Sequence, residues 1–173
     1  CVIKDAYDDV ACECILESDE NRAVAILPEF NGIVGQVKAK QKAASNVAAA
    51  EQRVNNDEAL GEFNVVIVGA SGTCKTTLAR AMMKALDTKG VITGSIEVGC
   101  EELMRDAKTS VGKLNDAFQT AQTQKAGLVI DEAYLLFQCS RDHTKFKGAF
   151  LANLNKYEGV PLILTGYEKD MRD

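Results

Sequence analysis

The sequence lacks long apolar runs, has a single histidine, and has no excess of positive charge. A membrane-spanning helix needs about 20 consecutive apolar residues, and no stretch approaches that length. The 20 lysines and arginines are outnumbered by 25 aspartates and glutamates, which gives a net charge of −5. This balance argues against a constitutive nucleic-acid-binding surface, although it leaves room for a local basic channel.

The sequence also gives little sign of a metal site built from histidine and cysteine. The only histidine, His143, lies between Asp142 and Thr144 in a polar stretch that is typical of the protein surface. The six cysteines do not make a disulfide scaffold in a chain of 173 residues. Cys12 and Cys14 could join Cys1 in a metal site, but C-x-C is not the usual zinc spacing, and scattered structural thiols are the simpler interpretation.

The most informative stretch surrounds a short glycine-containing turn, Gly69–Thr77. The β-branched run Val65–Val68 precedes it and predicts a strand that is buried on both faces. A helical pattern follows, in which Leu78, Met82 and Leu86 recur every four residues. The order of strand, turn, Lys-Thr and helix predicts a loop that binds a triphosphate.

In this loop the backbone N–H groups and the helix N-terminus would face the phosphates, Lys75 would add a positive charge, and Thr76 would offer its hydroxyl to Mg²⁺. The residues predicted to bind nucleotide here are Gly69, Ser71, Gly72, Thr73, Cys74, Lys75, Thr76 and Thr77. Cys74 departs from the pattern G-x-x-x-x-G-K-[ST], since it replaces the last glycine. A positive φ at this residue would add strain of about 1–2 kcal/mol, so an inactive, degenerate loop is the alternative.

Two acids follow a second apolar strand. Asp131 and Glu132 come directly after Leu128–Ile130. A carboxylate at the end of a parallel strand beside a phosphate loop can hold Mg²⁺, and the next carboxylate can accept a proton from an attacking water. The alternative is a salt-bridging or strand-capping role for this pair.

Strands and helices alternate along the rest of the chain. Further strands are predicted at 95–99 and 161–166, and further helices at 37–54, 111–124 and 144–157. This alternation indicates an α/β domain with a parallel sheet and helices on both faces. The helix residues predicted to face the core are Val37, Gln41, Ala44, Val47 and Ala48, then Leu114, Ala117, Phe118 and Ala121, then Phe146, Phe150, Leu151 and Leu154.

The motifs GASGTCKTT, LVIDEA and LILTGYEKDM resemble the core of an AAA+ ATPase. The resemblance is strongest to the red-type Rubisco activases and their stage V sporulation protein K relatives. That group has a D-E-A-Y motif, matched here by Asp131–Tyr134, and a G-Y-x-x-x-M motif, matched by Gly166–Met171. The upstream I-V-G-Q resembles the segment that holds adenine, which implies that Ile33 and Val34 contact the base.

The resemblance implies a three-layer core with strand order 1-4-3-2 over residues 29–173, the large subdomain of an AAA+ ATPase. Residues 1–28 would be a leading segment or the end of an upstream domain. The implied cofactors are ATP and Mg²⁺, with Lys75 and Glu132 as catalytic residues and Thr76 and Asp131 at the metal. The sensor of the attacking water would lie around Thr165–Tyr167.

The resemblance also implies a homo-oligomeric ring, such as a hexamer, that remodels a protein substrate without membrane attachment. A nucleotide-binding domain with free thiols is expected in the cytoplasm or another reducing compartment, such as a plastid stroma. A nucleic-acid motor or loader ATPase shares both motifs and is one alternative. A non-hydrolysing nucleotide-binding scaffold is the other.

Besides Cys74, the sequence departs from the family in two places. The pore segment of the activase group carries an aromatic residue, but Leu103–Thr109 has none, so Arg105 or Lys108 could contact an acidic or nucleic-acid partner or simply form a solvated loop. The fifth strand, arginine finger and helical lid of the family are not found, which predicts an unpaired sheet edge. Arg141 is a candidate for a finger that reaches a neighbouring subunit's phosphate.

Overall fold

The computed structural model describes residues 2–4, 27–106, 108–136 and 144–167, the first of these ranges by its backbone alone. The strands are β1 (Val2–Lys4), β2 (Asn64–Val68), β3 (Ser95–Gly99), β4 (Gly127–Asp131) and β5 (Leu162–Gly166). The helices are α1 (Val37–Asn55), α2 (Lys75–Thr88), α3 (Cys100–Met104), α4 (Ser110–Thr123) and α5 (Thr144–Lys156), with short 3-10 helices at Pro28–Phe30 and Ala133–Leu136. The bounds of β2 to β5 and of α1, α2, α4 and α5 agree closely with the sequence predictions, whereas β1 was not predicted.

The five strands form one parallel sheet in the order β1-β2-β5-β4-β3. Counted from β2, the four strands foreseen in the sequence lie in the order 1-4-3-2, which confirms the predicted topology. The expected open edge beside β2 is corrected: β1 pairs with it, with Val2 opposite Val66 and Lys4 opposite Val68. This pairing engages backbone groups of β2 that would otherwise be left at a free edge.

Helices cover both faces of the sheet, so the fold is a three-layer α/β domain. Along β4, Val129 faces the hydrophobic cluster beneath α1 and α2, whereas Leu128 and Ile130 face the cluster beneath α3, α4 and α5. Successive side chains of a strand point to opposite faces. Because both faces are buried, the central strands read as continuous apolar runs.

Helix α2 approaches β4 closely, and Gly127 permits the approach. A Cβ at this residue would lie closer than 3.0 Å to the thioether of Met83. Leu78, Met82 and Leu86 are buried on the same helix, as predicted. The packing fixes α2 over the sheet and sets its N-terminus at the carboxyl edge of the strands.

The buried face of α1 differs from the prediction. Ala44 and Val47 are buried as expected, but Val37, Gln41 and Ala48 are exposed. The buried face consists of Ala39, Ala43, Ala44, Val47 and Ala50. Small alanines allow α1 to lie close to the core, whereas Val37 is in the first turn, where the helix emerges from the preceding loop. None of the helices in the described ranges combines the length and apolar character needed to cross a bilayer.

The predicted face of α4 is confirmed, whereas that of α5 is wrong at one residue. Phe146 and Phe150 are buried, but Leu151 is 60% exposed. Asn153 is buried instead, and its side-chain amide donates a 2.7 Å hydrogen bond to Oδ1 of Asn115 on α4. This polar contact is compatible with burial because the amide is paired. The buried face of α5 therefore includes a residue that an apolar pattern does not select.

Candidate functional site

The carboxyl ends of β2, β5 and β4 lie side by side, and each of these strands leads into a segment that the sequence singled out. The β2–β5 register aligns Val68 with Gly166, and the N–H of Gly69 continues the pairing with a 3.3 Å bond to the Gly166 carbonyl. In open α/β sheets, ligands bind in the crevice outside this edge. The chain thus brings its glycine-containing loop, its acidic pair and the end of β5 to one place.

The loop between β2 and α2 is held by two left-handed residues, Gly72 (φ 78°) and Cys74 (φ 59°). The hydroxyl of Thr73 donates a 2.8 Å bond to the Ala70 carbonyl, which closes the turn. A Cβ at Gly72 would meet nothing within 4 Å, so the loop leaves open space on that side. In the described part of the chain the N-cap residue, Cys74, makes no side-chain hydrogen bond to the N-terminus of α2, whose first N–H groups suit an anion.

Asp131 is the residue where the three segments meet. Its Oδ2 accepts a 3.0 Å hydrogen bond from the hydroxyl of Thr76 on α2. Its Oδ1 accepts a 3.0 Å bond from the backbone N–H of Glu132 and a bond from the hydroxyl of Thr165, which is fully buried on β5. Carboxylate and hydroxyl oxygens are the donors that Mg²⁺ prefers. The residues predicted to hold the metal, Thr76 and Asp131, are therefore in direct contact.

Glu132 has an unsatisfied side chain. Its backbone is left-handed (φ 55°), which is uncommon for a residue with a side chain. Its Oε2 is buried and has no hydrogen-bond partner among the residues that the structure describes. A buried oxygen without a partner is unfavourable unless a ligand or a bound water satisfies it. The Glu132 carboxylate thus has the unfilled hydrogen-bonding capacity that a water-activating base requires.

Lys75, the first residue of α2, reaches back over the loop. Its Nζ donates a 2.8 Å hydrogen bond to the Ala70 carbonyl and lies 4.7 Å from the centroid of the Tyr167 ring. The Tyr167 ring packs in turn against Tyr134, with 5.2 Å between centroids and an interplanar angle of 56°. The lysine ammonium is therefore positioned by contacts from the loop and from the end of β5.

A second cation lies near the acids. Arg80 on α2 donates two hydrogen bonds, of 2.7 and 2.6 Å, to the carboxylate of Glu97 on β3. The hydrogen bond and charge of Glu97 raise the pKa of Arg80, and the charge of Asp131 adds a smaller effect. Arg80 thus remains a cation at any working pH.

The predicted adenine segment lies beside the loop. Ile33 is buried in the core beneath α1 and α2, whereas Val34 is 93% exposed. The next residues, Gly35 (φ 71°) and Gln36 (φ 51°), are both left-handed, and the side-chain amide of Gln36 donates to the Thr73 carbonyl of the loop. The segment and the loop between β2 and α2 are therefore joined by a direct hydrogen bond.

Other predicted residues are distributed as follows. Ser71 and Thr77 are exposed at the loop, and Gly69 is buried at the end of β2. In Leu103–Thr109, the stretch that corresponds to the pore segment of the activase group, Arg105 and Lys108 are exposed. Residue 107 lies outside the described ranges. Arg141, His143, Cys1, Cys12, Cys14 and Met171 lie outside the described residues.

Some contacts at the site were not found by sequence reasoning. The Gln36 bond to Thr73 and the Lys75 contact with Tyr167 join residues far apart in the chain, and no periodicity links them. The sequence does place Tyr167 directly after the strand predicted at 161–166, and the end of that strand meets the loop. For Gln36 the signal was its place in the I-V-G-Q motif, which suggested the adenine side of the site rather than the loop.

Comparison with known proteins agrees with this fold. The family model described as "ATPase family associated with various cellular activities (AAA)" matches residues 65–173. The crystal structure of the FIGL-1 AAA domain has a similar fold, with a TM-score of 0.59 and 18% sequence identity. The similarity covers 76% of this chain and 45% of the FIGL-1 chain, so this chain spans less than half of that length. No curated protein sequence matches significantly.

Proposed function

The chain belongs to the AAA family of ATPases, and we propose that it binds ATP with Mg²⁺ at the carboxyl edge of the sheet and hydrolyses it. The observation that carries this proposal is the hydrogen bond between Thr76 and Asp131, 3.0 Å long. It joins the helix after the phosphate loop to the acid after β4, and these two positions hold the metal in phosphate-loop enzymes.

The geometry and the family resemblance together support a binding role for each of these residues. The N–H groups of the loop and of the first turn of α2 would surround the β- and γ-phosphates, with Lys75 supplying positive charge. Thr76 and Asp131 would hold Mg²⁺, which neutralises phosphate charge when bound. Val34 would contact the adenine, because its side chain is exposed, whereas the buried Ile33 would support Val34 from beneath.

In hydrolysis, Glu132 would act as the general base. A water oxygen attacks the γ-phosphorus while the bond to the bridging oxygen of ADP breaks, and the water proton passes to the Glu132 carboxylate. The backbone bond from Glu132 to Asp131 keeps the base beside the metal-binding acid. The buried, unpartnered Oε2 is the oxygen best suited to receive the proton, since nothing described competes for it.

Replacing Glu132 with glutamine separates binding from hydrolysis. Glu132→Gln preserves size but removes the basic carboxylate, so ATP binding should persist while turnover falls by about 100-fold or more. Calorimetry would measure binding with Mg²⁺, and phosphate release would measure turnover, with Glu58→Gln as an exposed control outside the site. Full turnover in Glu132→Gln would refute the role of Glu132. Absence of ATP and ADP binding in the unmodified protein would refute the whole proposal.

We further propose that this ATPase works in a homo-oligomeric ring, such as a hexamer, that remodels a protein substrate in a reducing compartment. Its likeness to the red-type activase group is part of this proposal and supports a protein substrate. Sedimentation with ATP would test the ring. Stimulation of ATP turnover by unfolded protein, but not by DNA, would support remodelling, whereas stimulation by DNA alone would favour a nucleic-acid motor.

A further inference from the structure

We propose that Tyr167 is a positioning residue for the phosphate-binding lysine. Its ring holds the Lys75 ammonium over the loop before the nucleotide arrives, so that less lysine side-chain freedom is lost on binding. The inference rests on the proposed function, because it assigns Lys75 to the phosphates. This role differs from that of Thr165, which donates a hydrogen bond to the Asp131 carboxylate.

The contacts of Lys75 leave one direction open for a ligand. An ammonium has three N–H donors. One N–H donates to the Ala70 carbonyl at 2.8 Å. A second N–H can point towards the face of the Tyr167 ring, whose centroid lies 4.7 Å from Nζ. A cation within about 6 Å of an aromatic centroid is attracted by the negative face of the ring. Among the described residues nothing takes the remaining donor, which can therefore bind a phosphate oxygen, so the ring and the ligand need not compete.

The ring is itself supported. Tyr134, in the 3-10 helix that follows the acidic pair, packs against Tyr167 with 5.2 Å between ring centroids. Tyr167 follows Gly166, which is paired with β2 through Val68. The ring is thus attached to the ends of two adjacent strands, β5 through its own backbone and β4 through its neighbour. A ring fixed in this way can restrict a flexible lysine.

A simple packing role does not account for the position of Tyr167. Neither Tyr134 nor Tyr167 belongs to the hydrophobic clusters that the described residues form on the two faces of the sheet. Tyr167 is partly exposed, and its ring contacts are with Lys75 and Tyr134. A lysine side chain has large rotamer freedom, and holding it beforehand lowers the loss of entropy on binding.

The test is a double-mutant cycle that measures ATP binding with Mg²⁺ by calorimetry. Tyr167→Leu should weaken binding about two- to fivefold, the equivalent of one partly exposed cation–π contact. Tyr167→Phe keeps the ring and should bind like the unmodified protein. In the Lys75→Ala background, Tyr167→Leu should have no further effect, because the group that the ring positions is gone.

The outcomes distinguish this inference from the proposed function. An equal loss from Tyr167→Leu with and without Lys75 would overturn the positioning role. Unchanged ATP binding in Lys75→Ala would instead refute the proposed site. If the leucine variant folds poorly, or if Lys75→Ala binds ATP too weakly to measure, stepwise fluorination of a phenylalanine at position 167 keeps the ring shape and weakens its negative face. ATP affinity should then fall with each fluorine, and affinity independent of fluorination would also overturn the inference.

Discussion

We expect Cys74→Gly to raise the free energy of unfolding by about 1 kcal/mol. Cys74 has φ 59° and ψ 27°, a left-handed conformation in which a side chain costs about 1–2 kcal/mol and glycine costs nothing. Glycine also raises the conformational entropy of the unfolded chain, which offsets the relief of strain by about 0.4–1 kcal/mol. The Cys74 side chain is exposed, so its removal sacrifices little packing.

Thermal and denaturant unfolding under reducing conditions would measure this change. For a chain of this size, 1 kcal/mol corresponds to a rise of about 2–4 °C in the unfolding midpoint. Cys74→Ala is the matched control, because it removes the thiol but keeps the Cβ. Lys125 has φ 51° and lies beyond the end of α4, away from the site, so Lys125→Gly should relieve the same kind of backbone strain. The reasoning is wrong if Cys74→Gly is no more stable than Cys74→Ala while Lys125→Gly is stabilised.

Three further predictions concern two buried groups, the Thr165 hydroxyl and the Cys100 thiol. Thr165→Val removes a hydroxyl donor from Asp131 at nearly constant volume. ATP turnover should then require more Mg²⁺, and the free energy of unfolding should fall by about 1–3 kcal/mol, whereas Thr165→Ser should behave like the unmodified protein. Identical magnesium titrations of ATP turnover for the valine and serine variants would contradict this prediction. Burial raises the pKa of the Cys100 thiol to about 12, so alkylation at pH 8 followed by mass spectrometry should modify Cys74 and spare Cys100 until the protein is unfolded. The unfolded Cys100 thiol ionises near its ordinary pKa of 9.0 while the folded one stays neutral, so its contribution to stability should decline as the pH rises from 9 towards 12.

The elements around the site could be predicted because each carries a local signal. The β-branched run before Gly69 and the four-residue period after Lys75 gave β2 and α2. The apolar run before Asp131 gave β4 in the same way. Parallel strands joined by helices then bring their carboxyl ends together, so the meeting of loop and acids followed from connectivity alone.

The features that were missed depend on contacts between distant segments. Strand β1 has only three residues, and its pairing with β2 gives no pattern in the sequence. Leu151 fitted an apolar helical period, but the buried Asn153 occupies the face that packs against α4. The preference for a paired amide over an apolar side chain is set by the partner, Asn115, rather than by the helix itself.

Three residues with left-handed backbones lie at the candidate site, and their surroundings explain why these unfavourable conformations persist. Gln36, Cys74 and Glu132 all have left-handed backbones, and each adjoins the loop or the acids. Such conformations persist where surrounding contacts over-determine them, and they cluster at functional sites. Two of the three have hydrogen bonds that account for the geometry, Gln36 to the Thr73 carbonyl and the Glu132 N–H to Asp131. Within the described ranges the Cys74 side chain makes no cap hydrogen bond, and its conformation serves the backbone turn into α2. Its strain can therefore be relieved by glycine without loss of a side-chain contact. The same substitution at Gln36 would remove the amide that bonds the loop, and at Glu132 it would keep the N–H bond to Asp131 but remove the proposed base.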